Sequence, residues 1–129
     1  MEKIIVQIGW CDNYCAASNE ILGCVACSDT IEGIKKEYRS ALDFHIKGML
    51  EDGDELPEKL KNEYELVFEL DTSAMLHSLD GIVTRKAIAK VTGINEALLT
   101  HYANGFRKPR PVQRQRIIDG IHQIGRELT

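Results

Sequence analysis

The stretch Thr84 to Pro109, TRKAIAKVTGINEALLTHYANGFRKP, decides how the rest of the chain is read. Ala87, Ile88 and Val91 recur at helical spacing. Gly93 stops that helix, because a residue without a Cβ takes the left-handed conformation a helix exit needs. Asn95 starts a second helix: its side-chain oxygen accepts from a free backbone N–H two or three residues on, and Glu96 favours the positive end of the helix dipole. Leu99 and Tyr102 form the inner stripe of this helix, Asn104-Gly105 ends it, and Phe106-Arg107-Lys108-Pro109-Arg110 follows as a basic loop. Small Ala89, Gly93 four residues later and apolar Leu99 are what two short helices need to cross closely at a steep angle.

Outward from this core, Asp71-Thr72-Ser73 caps a short helix through Leu79, closed by Asp80-Gly81. Pro111 opens a last helix, where its missing N–H is harmless, and Val112, Ile117, Ile121, Ile124 and Leu128 line one side. Gly120 and Gly125 on that helix suggest close packing. Residues 71–129 therefore read as an all-α unit. The stretch resembles the phage-repressor-like helix-turn-helix family, whose pattern runs from the position of Arg85 through Ala89, Gly93, Ile94 and Leu99 to Asn104-Gly105 and Lys108-Pro109. The resemblance implies that the second helix lies in the major groove of operator DNA. Carried over by position, Asn95, Glu96, Ala97, Leu98, Thr100 and His101 face the DNA, with Arg85, Asn104, Arg107 and Lys108 near phosphates. A homodimer or higher homo-oligomer is expected, because one helix reads too few base pairs and two-fold proteins match palindromic half-sites.

The first half has a different rhythm. Ile4, Val6 and Ile8 alternate on one face of a strand from Lys3 to Ile8, Gly9 to Asn13 reads as a turn, and Tyr14–Ser18 and Leu22–Cys27 follow as two further strands of a meander. Asp29 with Glu32 three residues on reads as a capping box. Ile31, Ile34, Tyr38, Leu42, His45, Ile46 and Met49 then keep helical spacing up to Glu51-Asp52-Gly53. After the polar connection around Pro57, Tyr64, Leu66, Phe68 and Leu70 alternate with Glu65 and Glu69 as a closing strand. The expected fold class is α+β, with β-β-β-α-β over residues 1–70 and helices over 71–129.

Composition bounds the function. With 129 residues, 43% of them hydrophobic and 28% charged, the chain is neither fibrous nor disordered. The apolar start of MEKIIVQIGW is too short for a signal peptide, and no run approaches the roughly 18 apolar residues of a membrane span, so a cytoplasmic protein is expected. The net charge of −4 hides an asymmetry. Residues 1–70 carry 7 Lys/Arg against 15 Asp/Glu, a net of −8, while residues 71–129 carry 9 against 5, a net of +4. A basic half suits phosphate, whereas an acidic half suits a basic protein.

Asp12-Asn13-Tyr14, Leu22-Gly23-Cys24, Asp29-Thr30 with Glu32, the helix ending in Leu50-Glu51-Asp52-Gly53, and Leu56-Pro57 resemble the HicB antitoxin family over nearly all of residues 1–57. That resemblance implies a partial RNase H-like fold for the first half, which sequesters a HicA-like small basic toxin that cleaves RNA, while the appended domain represses the operon. Two positions depart from the family. Gly33 replaces a helix former, at a cost of roughly 1 kcal/mol, and Ser18-Asn19-Glu20-Ile21 lacks the usual aromatic and proline.

No catalytic residue, metal or cofactor is expected. A two-metal nuclease needs about four clustered carboxylates; of the available Asp12, Glu20, Asp29 and Glu32, Asp29 and Glu32 serve as caps and Asp12 sits in a turn, and no acid lies at the centre of the first strand, where inward-facing ligands would be held. Cys24 and Cys27 lie in strand-like sequence, where residues three apart point to opposite faces, and Cys11 with Cys15 lacks the usual knuckle with a glycine turn, so all four are expected to be reduced, mostly buried thiols. His45, His77 and His122 have no acidic or serine partner at a catalytic spacing and read as structural. The alternative to an antitoxin and autorepressor is a ligand-sensing helix-turn-helix regulator without a toxin partner. A short basic coding sequence adjacent to this one favours the antitoxin.

Overall fold

The computed structural model describes residues 1–127, and the chain divides into two compact units, Met1–Asp71 and Thr72–Thr129. It is an α+β protein with a four-stranded sheet and, among the described residues, five α-helices. In the first unit, β1 (Glu2–Trp10), β2 (Tyr14–Ser18) and β3 (Ile21–Ser28) form the expected meander, α1 covers Ile31–Glu51, a 3-10 turn covers Glu58–Leu60, and β4 covers Tyr64–Leu70. The strand order is β3-β2-β1-β4. Because α1 carries the chain back across the sheet, β4 can run parallel to β1, with Ile4 beside Leu66 and Val6 beside Phe68.

One face of the sheet makes the core. Ile4, Val6 and Ile8 of β1 are fully buried, with Tyr14 and Ala16 of β2 and Ile21 and Cys24 of β3, while α1 contributes Ile34, Tyr38 and Leu42. Tyr38 meets Phe68 edge-on, with ring centres 6.2 Å apart, and Arg39 lies over the Phe68 ring at 5.2 Å. The cap of α1 differs from the expected one. Thr30, not Asp29, is the N-cap, its Oγ1 accepting from Gly33 N at 2.9 Å. A Cβ on Gly33 would stand 2.4 Å from Ser28 Oγ and 2.7 Å from Thr30 Oγ1. The glycine that reads as a cost to the helix is what leaves room for its cap.

At the β2–β3 turn the ladder shifts register between Ala17 and Ser18, and beyond Gln7 and Ala17, the last β1–β2 pair there, side chains bond the backbone of Ile5. Ile5 N donates to Glu20 Oε2 at 2.8 Å, Ser18 Oγ donates to Ile5 O at 2.6 Å, and Lys59 pairs with Glu20. The Lys59 ammonium, then the Ile5 amide, hold the Glu20 carboxyl below the usual range. A lowered folded-state value stabilises above the unfolded carboxylate pKa and is lost as pH falls through the folded one. Glu20→Gln is therefore expected to be less stable than the parent near neutral pH, with the difference closing on acidification. Denaturant midpoints across acidic and neutral pH check this; a difference independent of pH would remove the charge from the explanation.

The thiols are less buried than expected. Cys24 lies in the core, Cys15 is half-buried, and Cys11 and Cys27 are exposed, so the buried-hydrophobe reading holds for Cys24 and fails for Cys11 and Cys27. Residues three apart in β3 face opposite ways, which sends Cys24 inward and Cys27 outward. Cys15 and Cys27 stand opposite each other, with their sulfurs 2.7 Å apart. This contact, with burial, pushes the Cys15 thiol up to about 11. Among the described residues no group of three or more His, Cys, Asp or Glu is placed to hold a metal ion. Reduced, denatured protein is expected to titrate four thiols and the native protein to carry no stoichiometric zinc. One zinc per chain, lost together with stability on chelation, would overturn this.

In the second unit α2 covers Thr72–Ser78, α3 Arg85–Thr92, α4 Glu96–Ala103 and α5 Pro111–Glu127. Leu76, Ile88, Ile94, Leu99, Tyr102, Ala103 and Ile117 form its core, with Ile121 and Ile124 packed against them. Val112 departs from the expected stripe and is 77% exposed, and Leu128 lies outside the described residues. Gly120 is buried, and a Cβ there would stand 2.4 Å from Thr92 Cγ2, so α5 and α3 approach closely at that point. Gly125 faces open space, and the close packing expected of it is not found. His77 has the acidic neighbour that spacing did not reveal. Its Nδ1 is 3.4 Å from Asp80 Oδ2 and its Nε2 is 2.9 Å from Ala103 O, which ties α2 to the end of α4.

Candidate nucleic-acid interface

The α3–α4 pair is built by its caps. Thr84 Oγ1 accepts from Ala87 N at 3.0 Å to start α3, and Gly93, with φ of 74°, ends it by donating its N–H to Ala89 O at 2.9 Å. Two residues later Asn95 Oδ1 accepts from Ala97 N at 2.8 Å, starting α4. The chain reverses within Gly93-Ile94-Asn95, and buried Ile94 pins the turn to the core. Two residues that the sequence reading passed over hold it. Thr92 Oγ1 donates to Ile88 O at 2.7 Å and accepts from Ile94 N at 3.2 Å, while Arg116 of α5 donates to Thr92 O at 2.8 Å.

The expected site residues divide by face. Asn95, Glu96, Ala97, His101 and Asn104 are exposed on the side of α4 opposite Leu99, Tyr102 and Ala103, and Thr100 is half-buried at its margin. Leu98, expected to face outward, is half-buried and packs against the core, because an eight-residue helix wedged among three others needs apolar contacts on more than one side. Arg85 is also set apart. Its guanidinium lies 3.3 Å from Asp80 Oδ2 at the base of α3, so its charge is already partnered. Arg107 and Lys108 are exposed in the loop between α4 and α5, after Gly105 with φ of 76°. His101 and Phe106 meet edge to face at 6.1 Å.

Sequence reasoning missed Lys86 and Lys90. Both are exposed, one turn apart on α3, and line a shallow concave surface with Thr84, Ala87, Asn95 and Glu96. Their i, i+4 spacing places both charges on one face. The arrangement is a capped, outward-facing helix start with the α3 cations beside it and further exposed cations in the loop after α4. Such a surface offers hydrogen-bonding side chains in the middle and phosphate-sized charge at its margins.

No protein-family model matches the chain. The chain is similar, at 27% identity over 108 residues, to an uncharacterized 14.9 kDa protein in the rep-hol intergenic region of Haemophilus phage HP1; the match spans 81% of this chain and 80% of that one.

Proposed function

We propose that the chain is the antitoxin of a type II toxin–antitoxin pair, with a HicB-like partial RNase H-like unit that sequesters a HicA-like basic toxin and a helix-turn-helix unit that represses its operon. The observation that carries the DNA-binding half is the face of α4 described above. Asn95, Glu96, Ala97, Thr100 and His101 are the readers of base edges, and Asn104, Arg107 and Lys108, joined by Lys86 and Lys90, are the phosphate contacts. Arg85 serves instead to hold α2 to α3 through Asp80. The antitoxin half is supported by the concentration of acidic residues in residues 1–70, since a protein that binds RNA is basic and is attracted at long range by a surface of opposite sign. The reading assigns no catalytic residue and places the protein in the cytoplasm as a homodimer or higher oligomer on its operator.

Mobility shifts over a range of salt test the DNA half. Arg107→Ala and Lys108→Ala are each expected to weaken binding to all sequences alike and to reduce the salt slope by about 0.9 per lost phosphate contact. Thr100 or His101 substitutions are expected to change which operator is preferred. Unchanged affinity and salt dependence in a folded double clamp variant would refute the groove placement. Co-expression with the adjacent short basic coding sequence, followed by co-purification, tests the antitoxin half.

A further inference from the structure

Cys15 of β2 and Cys27 of β3 are directly opposed in the regular part of the hairpin, between the pairs Tyr14–Ser28 and Ala16–Ala26 and short of the register shift after Ala17. Opposed residues of an antiparallel pair share a face, and their Cα atoms lie about 4.5 or 5.5 Å apart depending on the hydrogen-bonding position. Both separations fall within the roughly 4.4–6.8 Å that a disulfide spans. The side chains converge as well: their Sγ atoms are 2.7 Å apart, about 0.7 Å more than the length of an S–S bond. Two sulfurs sharing a metal stand farther apart than this, since each Zn–S bond alone is about 2.3 Å. The alternation of β2 and β3 sends Tyr14, Ala16 and Cys24 into the core and turns Cys15 and Cys27 to the other face of the sheet, away from α1. There Cys27 is exposed and Cys15 half-buried.

We propose that Cys15 and Cys27 are a redox modification site, forming a reversible disulfide by exchange with a low-molecular-weight disulfide. The Cys27 thiolate attacks one sulfur of the oxidant R–S–S–R, forming Cys27–S–S–R and releasing R–S⁻. Cys15 then gives up its proton and attacks Cys27 Sγ, which forms the Cys15–Cys27 bond and expels the second R–S⁻. The two protein thiols lose two electrons and two protons, and the oxidant leaves as two R–SH. The environment of each sulfur sets this order. The hydrogen bond with Cys27, then burial, hold the proton on Cys15, whose thiol is pushed up to about 11, and a thiol is a far poorer nucleophile than a thiolate. Exposed Cys27 is therefore the sulfur that reacts first, and capping it removes the contact that keeps Cys15 protonated. Cys24 is shielded in the core beside Tyr38. Cys11 is exposed but lies in the turn after β1, opposite neither sulfur in the ladder. A disulfide on an open face is within reach of reducing thiols too, so it forms and breaks without unfolding. The site is separate from the toxin-binding and DNA-binding readings and stands if either fails.

Equilibrating the folded, full-length chain with oxidised glutathione tests it. After alkylation of the remaining thiols and denaturation, cleavage at Glu20 parts Cys11 and Cys15 from Cys24 and Cys27. A glutamate-specific protease is therefore expected to release residues 3–20 linked to residues 21–32, and excess reduced glutathione, added before denaturation, to abolish the link. Cys15→Ser is expected to lose the link and to retain glutathione on Cys27 as a stalled mixed disulfide. Cys27→Ser should lose the link without that adduct, and Cys11→Ser should form the link as the parent does. Far-UV circular dichroism verifies each fold, and Cys15→Ala replaces the serine variant should the hydroxyl unfold the hairpin. Unlinked peptides from the oxidised parent, a link that persists without Cys15 or without Cys27, a disulfide between chains in its place, or a link that reduced glutathione opens only in denaturant would each overturn the site.

Discussion

Replacing Leu99 by alanine is expected to unfold the helical unit while leaving the sheet unit intact. Leu99 is fully buried on the inner face of α4, within the cluster of Leu76, Ile88, Ile94, Tyr102 and Ile117. Truncating such a leucine loses its transfer free energy and leaves a cavity, together about 2–5 kcal/mol. A small domain has little to spare, since the total stability of a domain is only about 5–15 kcal/mol and small domains sit at the low end. The caps of α3 and α4 contribute about 1 kcal/mol each, too little to offset the loss. The outward residues of α4 are untouched by the substitution, so any loss of DNA binding would follow from unfolding alone. The chain offers a convenient reporter, because its single tryptophan, Trp10, lies on β1. Far-UV circular dichroism should lose helical signal at low denaturant while Trp10 fluorescence keeps the parental midpoint. If both signals shifted together, the two units would not be independent in stability. Leu99→Met, which nearly conserves volume, is expected to cost about 1.5 kcal/mol or less.

What the sequence made legible follows from how local each cause is. The alternation of Ile4, Val6 and Ile8 and the spacing of Ile34, Tyr38 and Leu42 are local patterns, and both faces are buried as read. The parallel pairing of β4 with β1 is not in any alternation; it follows from α1 returning the chain across the sheet. At the start of α1, Ser28, Asp29 and Thr30 can all cap a helix, and only the three-dimensional placement of Thr30 Oγ1 against Gly33 N picks one out. On α4, the starting cap and the buried Leu99 and Tyr102 were readable, but the inward turn of Leu98 depends on neighbours from other helices. Arg116 reaches the carbonyl of Thr92 across 24 residues of chain, a contact no local rule contains. Lys86 and Lys90 were within reach of a simple test, since their one-turn spacing beside the start of the next helix was a visible signal.

Cutting the chain after Asp71 is expected to separate the two proposed activities completely. The cut belongs there, rather than after Leu70, because Asp71 N donates to Ile8 O at 2.9 Å and extends the contact between β4 and β1 by one bond. The first fragment keeps all four strands, α1 and the core they enclose. The second keeps Thr72, whose hydroxyl accepts from Arg114 of α5 at 2.8 Å and fastens the start of α2. Charge divides with the cut: residues 1–71 hold 7 Lys/Arg against 16 Asp/Glu, residues 72–129 hold 9 against 4. Phosphate repels the first fragment and attracts the second. On the antitoxin reading, residues 1–71 should rescue growth from the co-expressed basic toxin and shift no operator DNA. Residues 72–129 should shift the operator with the salt dependence of phosphate contacts and rescue nothing. Rescue assays and mobility shifts on each fragment, with circular dichroism to establish folding, read both halves at once. Rescue by residues 72–129 with none from a folded fragment 1–71 would reverse the assignment of the toxin to the acidic unit.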